Sequence, residues 1–159
     1  MNTNFRKVYD FNKCFGVPVS DTPEKNVFDE KPDLVKLRFS LIHEEVNELE
    51  DAIKTKNFTE VVDALSDILY VVYGAGVSFG IDLDKAFNIV HDSNMSKLCK
   101  TEDEARQTVE WYKTHDTPYD SPDYRKSDDG KYWVVYNHST GKILKSINYI
   151  PANFSDLLN

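Results

Sequence analysis

Cysteine is scarce in this chain, and Cys14 and Cys99 stand far apart with no CxxC spacing, which argues against both a thiolate zinc site and a disulfide framework. Basic side chains are outnumbered: 19 Lys and Arg against 27 Asp and Glu leave a net charge of −8. A chain with that balance lacks the basic face that a nucleic-acid polymer or an anionic membrane would demand. The opening stretch MNTNFRKVYD has no apolar segment of the signal-peptide kind, and no apolar run approaches the roughly twenty residues that cross a bilayer. The expectation is a cytoplasmic protein that binds neither a nucleic-acid polymer nor a membrane. A length of 159 residues is about one domain with a core of its own. It divides by character into a helical core over 1–100 and a C-terminal extension over 101–159, packed on the core or on a partner subunit.

What the chain has in excess is carboxylate, placed with a helical period. Between Leu41 and Tyr73, Glu44, Glu45 and Glu48 run along one edge of a stripe formed by Ile42, Val46, Leu49 and Ile53. Glu60, Asp63 and Asp67 repeat the arrangement among Val61, Val62, Leu65, Ile68 and Leu69. Asn57 and Thr59 mark a short break between the two segments, and so brief a connection folds them into an antiparallel hairpin with the acid rows opposed. Neither row is balanced by Lys or Arg at helical distance. Crowded carboxylates repel unless a cation neutralises them, and a hard divalent ion with oxygen ligands does so most simply. Mg²⁺ in turn points to a phosphate-bearing substrate. The bland reading is two solvated helix edges, which Asp67, bracketed by Leu65, Ile68 and Leu69, fits least well.

Taken in order, Asn4 to Phe15 reads as a first helix stopped by Gly16, and Val17 to Asp33 as a Pro-rich loop whose Lys25 and Lys31 either reach phosphates or are solvated. The longest helix is predicted from about Asp33, as its cap, to Lys56, and the next from Glu60 to Phe79. Gly74 and Gly76 permit close helix contact. Asp82 caps a further helix with Leu83, Phe87, Ile89 and Val90 inward, ending in the polar cluster His91 to Lys97. Thr101 with Glu104 is a capping pair for a surface helix to His115. A turn-rich loop follows, then a β-hairpin from about Tyr132 to Ile147 turning at Asn137–Gly141.

The ordered set LRFSLIHEEVNEL (37–49), EVVDALSDILYVVYG (60–74), GID (80–82), VHDSNMSK (90–97) and GKILKSINYIP (141–151) resembles the phosphoribosyl-ATP pyrophosphohydrolase-like branch of the all-α nucleoside triphosphate pyrophosphatases, the MazG-like superfamily. The likeness runs from about Phe5 to Ile150; the insertion from Thr101 to Asp129 has no counterpart in the core pattern. The resemblance implies a mainly α fold, an antiparallel helical bundle completed by oligomerisation, as a homodimer or homotetramer, with a small C-terminal β-hairpin. It also implies Mg²⁺-dependent (or Mn²⁺-dependent) hydrolysis of a nucleoside triphosphate between the α- and β-phosphates, giving a monophosphate and pyrophosphate. The family's first ExxE motif falls on Glu45 and Glu48. For the second, ExxD, two registers stay open: Glu60 with Asp63, or an alignment that puts Ala64 at a glutamate position and Asp67 at the final aspartate.

Carried over in this way, the metal ligands are Glu45, Glu48, Glu60, Asp63 and Asp67, with Glu44 or Glu45 orienting or deprotonating the attacking water. Arg38, Lys97 and Lys145 are placed on phosphates, Asn94 on base or ribose, and Tyr149 over a base. Ala64 motivates a rival, a non-catalytic nucleotide-binding or interaction module on the same fold. A helical scaffold with no ligand is the third reading.

Overall fold

The structure, a computed structural model, describes residues 3–159. In chain order its elements are α1 (Asn4–Phe15), α2 (Val27–Glu30), α3 (Pro32–Lys54), α4 (Phe58–Phe79), α5 (Leu83–Met95), α6 (Glu102–Thr114), β1 (Pro122–Lys126), β2 (Trp133–Asn137) and a closing 3-10 turn (Ser155–Leu157). The fold is thus mainly helical with one small antiparallel sheet, as the sequence implied. The chain divides into two compact units within α5, after Phe87, and Phe154–Asn159 belong with the first. The boundary therefore falls earlier than the expected one at residue 100.

The first unit is built on the α3–α4 hairpin. Its helix α1 starts where the Thr3 hydroxyl accepts from the Arg6 N–H and stops at Gly16, which adopts the left-handed conformation. Helix α3 begins one residue earlier than predicted: Pro32 occupies its first turn and Asp33 follows inside it, so Asp33 does not cap. Helix α4 is capped by the Asn57 side chain, which accepts from the Glu60 N–H, and ends at Gly80. Gly80 is required there, because its φ is +71° and a Cβ would collide with the Thr22 carbonyl. Val8 and Tyr9 of α1 bury against Val77 of α4, with Phe5, Val19 and Tyr73 around them.

Asp84, near the start of α5, locks this layer by accepting from Tyr73 Oη at 2.7 Å and from the Phe5 N–H at 3.1 Å. Burial pushes the Asp84 carboxyl up, but hydrogen bonds from Thr3, Tyr73 and Phe5 outweigh it and hold the group below its ordinary value. Two expectations need correcting here. Phe87 and Val90 of α5 face outward, 69% and 40% exposed. Helix α4 is, by length and composition, apolar enough to cross a bilayer; it packs on α3 and α1, which covers part of its apolar surface and leaves Val62, Leu65 and Leu69 exposed.

The second unit has its own core, Cys99, Ala105, Val109, Tyr112, Val135 and Leu144, flanked by Tyr119, Tyr124 and Trp133. Helix α6 supplies half of it, so it is a core helix and not the expected surface one. The Thr101 hydroxyl caps α6 by accepting from the Glu104 N–H at 3.1 Å. Strand β2 forms as predicted, but its ladder partner is β1, in the register Tyr124 to Val135, with the turn at Ser127–Gly130. The expected partner, Lys142 to Ile147, runs along the other edge and makes a bridge between Ile143 and Tyr136 instead of a strand.

Candidate metal and phosphate site

The hairpin brings the two acid rows together. Glu45 is half-buried at the α3–α4 seam, and its Oε2 atom is enclosed with no hydrogen-bond partner. Burial raises the Glu45 carboxyl above the usual carboxylate range, and the charges of Glu48, Asp67, Glu44 and Asp63 raise it further, in that order. Both helices thus contribute carboxylates to one electrostatic neighbourhood. Glu60, exposed in the first turn of α4, is not among the charges that raise Glu45 most. Glu44, Glu48, Asp63 and Asp67 are exposed along the edge of the seam. Among the described residues no three His, Cys, Asp or Glu side chains are already drawn around a single point at metal-binding distance. The donor set nonetheless suits a hard divalent cation: all oxygen, anionic, and including a buried carboxylate oxygen with no donor.

Arg38 lies on the same seam, two helical turns before Glu45. It is 5% exposed, and its guanidinium occupies the space that a side chain at Gly74 would fill: a Cβ there would stand 3.1 Å from Nη1. Two of its nitrogens, Nε and Nη2, are buried without a partner, and burial pushes its pKa down. The sequence singled out Arg38 and separately noted Gly74; what it did not show is that the glycine makes the arginine's berth. A glycine in mid-helix two turns from Asp67 was the available signal.

The other predicted contacts lie in the second unit. Lys97 Nζ donates to Asn94 Oδ1 at 2.8 Å, and Lys145 Nζ sits 4.6 Å over the Tyr149 ring. The Ser93 hydroxyl donates to Tyr149 Oη at 3.1 Å, so the structure does join the SNMSK segment (93–97) to the 145–150 tail. Beside that junction is a cavity of about 420 Å³ lined in part by Asp92, Met95, Lys100, Glu104 and Tyr132, to which no sequence motif points. Of the loop lysines, Lys31 is engaged with Glu24 at 2.9 Å.

Residues 8–94 match the family described as phosphoribosyl-ATP pyrophosphohydrolase, more than half of the chain and all of the hairpin. The chain belongs to this family. Over 98% of its length it is also 34% identical to an uncharacterized protein of Acanthamoeba polyphaga mimivirus, of which 96% is covered. That viral relative therefore shares the C-terminal unit as well as the family core. Membership places the protein among pyrophosphohydrolase-type hydrolases, and the acid-lined hairpin is the part of the chain where the matched region and the crowded carboxylates coincide.

Proposed function

We propose that this family member is a Mg²⁺-dependent nucleoside triphosphate pyrophosphohydrolase, cleaving between the α- and β-phosphates to release a nucleoside monophosphate and pyrophosphate. Glu45 carries the reading. A half-buried carboxyl with an unpartnered oxygen, crowded by four more acids and held above its ordinary pKa, is costly unless a cation shares the site. Glu45, Glu48, Asp63 and Asp67 would hold the metal, with Glu60 at the margin, and Mg²⁺ or Mn²⁺ would supply the positive charge that lets a polyphosphate approach an acidic surface and would acidify water for attack.

The remaining chemistry belongs to the chain. Glu45, half-buried at the seam, and Glu44, exposed beside it, are the two candidates to orient the attacking water. On the second unit Asn94, Lys97, Lys145 and Tyr149 offer amide, ammonium and ring surfaces suited to a nucleotide. The non-catalytic rival drew on Ala64, but that position is buried at 3% exposure while Asp63 and Asp67 both act on Glu45, so the necessary acids do not depend on it.

Self-association is part of the proposal. Leu37, Phe39 and Ile53 of α3 and Val62, Leu65 and Leu69 of α4 are between 48% and 71% exposed. A second copy laid over these faces completes a helical bundle, as a homodimer or homotetramer. The test is incubation with a panel of nucleoside triphosphates in Mg²⁺ and, separately, in excess chelator. Pyrophosphate appearing with at least one of them, and only with metal, supports the reading; its absence across the panel, or release of orthophosphate alone, overturns it.

A further inference from the structure

We infer that Arg38 and Gly74 form a metal-independent oxyanion subsite that takes a phosphate group of the substrate or of the pyrophosphate product. The inference rests on the phosphate-substrate reading above for the identity of its ligand, but not for the existence of the subsite. An arginine that is 5% exposed, with Nε and Nη2 enclosed and unpaired, is a buried cation whose donors have nothing to donate to. Among the described residues no carboxylate lies within ion-pair distance of it, although Glu45 stands on the same face of α3 two turns away, about 10 Å along the helix. The seam thus separates its charges: acids at one level, a lone guanidinium at the next.

Gly74 of α4 is what admits the guanidinium, since a Cβ at that position would crowd Nη1 at 3.1 Å. An arginine kept only to pack would be paired to a neighbouring acid or turned to water; this one is held enclosed with Nε and Nη2 unpaired, a planar donor set of the kind that binds phosphate oxygens in pairs once they reach it. Such a group can hold one end of a polyphosphate, or keep the leaving pyrophosphate, without contesting the metal's ligands.

The experiment measures binding of inorganic pyrophosphate by calorimetry in excess chelator, with melting temperatures, for the wild-type protein and for Arg38→Met, Arg38→Lys, Gly74→Ala and Asp67→Asn. Expected are saturable binding to the wild type and to Asp67→Asn, at least about tenfold weaker binding to Arg38→Met and to Gly74→Ala, and an intermediate loss for Arg38→Lys, which keeps the charge but not the fork. Without ligand, Arg38→Met should melt no lower than the wild type, because it removes an unpaired buried charge. Metal-free pyrophosphate binding that is undiminished in Arg38→Met and Arg38→Lys, or no binding to the wild type, overturns the subsite. A lower ligand-free melting temperature in Arg38→Met together with a changed oligomeric state also overturns it, by assigning the arginine to a second copy's carboxylate. Should no triphosphate be hydrolysed while pyrophosphate still binds through Arg38, the reaction is wrong and the subsite stands.

Discussion

In the second unit most of the buried polar groups answer one another, Thr117 Oγ1 being an exception. Glu104 accepts from the Ser146 hydroxyl at 2.6 Å and from the Lys100 N–H at 2.9 Å, Thr108 serves Glu104 and Ile147, and Asn137 is ringed by Asp120, Ser121, Ser139 and Thr140. That ring holds the Asp120 carboxyl down to about 2. The first unit leaves Glu45 Oε2, Arg38 Nε and Nη2 and Asn12 Nδ2 without partners, and presents apolar side chains of α3 and α4 to water. The difference is one of charge: the unpaired atoms on the α3–α4 hairpin belong to a carboxylate and a guanidinium, that of the second unit to a hydroxyl. Unsatisfied groups cost free energy, and the proposals above assign those of the hairpin to a ligand or a second copy.

Substitutions should separate the two units cleanly. The largest effect is expected at the hairpin's acids: Asp67→Asn or Glu48→Gln should lower pyrophosphate release at least about 1000-fold, measured with the best triphosphate of the panel, with helical circular dichroism unchanged. In the second unit Leu144, 1% exposed in the core, should behave in the opposite way, Leu144→Ala costing about 3 kcal/mol of stability in denaturant unfolding.

A smaller effect is expected where a second copy would lie. Leu65→Asp with Leu69→Asp should weaken self-association at least about tenfold by sedimentation, while an unaltered oligomer would remove the reason given for those exposed faces.

The smallest is a pH effect with a definite sign. Because its folded-state pKa is raised, Glu45 binds its proton more tightly folded than unfolded. Its contribution to stability is therefore fully present below the ordinary glutamate value and is lost as pH rises through the raised one. Across that window the melting temperature of the metal-free wild type should fall relative to that of Glu45→Gln, since the carboxyls held below their ordinary values, Asp84 and Asp120 among them, contribute with the opposite sign to both proteins alike.

Much of the first unit was legible because its signals are local. Asn57 and Gly80 bound α4, Gly16 ends α1, and the acid rows carry a period that only a helix turns into a face. The proximity of Glu44, Glu45, Glu48, Asp63 and Asp67 was legible to the same degree, from spacing plus one short connection. Glu60 sits further from that centre because it belongs to α4's first turn, where the exposed end of the helix leads away from Glu45.

The misreadings come from non-local pairing. Strand β2 is rich in β-branched and aromatic residues, but nothing in Pro122–Lys126 announces a strand; that segment is recruited because β2 needs a partner and the Ser127–Gly130 turn delivers it. Helix α6 looked like a surface helix because its sequence is highly charged, yet Ala105, Thr108, Val109 and Tyr112 share one buried face. The berth of Arg38 needed coordinates, since it depends on the depth at which two helices meet.

The most direct measurement is Mn²⁺ binding followed by the loss of its free-ion electron paramagnetic resonance signal, in the wild-type protein and in Asp67→Asn and Glu48→Gln. If the opposed acid rows share a cation, the wild type will bind Mn²⁺ saturably, Mg²⁺ will compete, and each variant will bind at least about tenfold more weakly. A wild type that leaves the signal unchanged, or variants that bind as it does, would contradict the convergence on which the proposed hydrolysis depends.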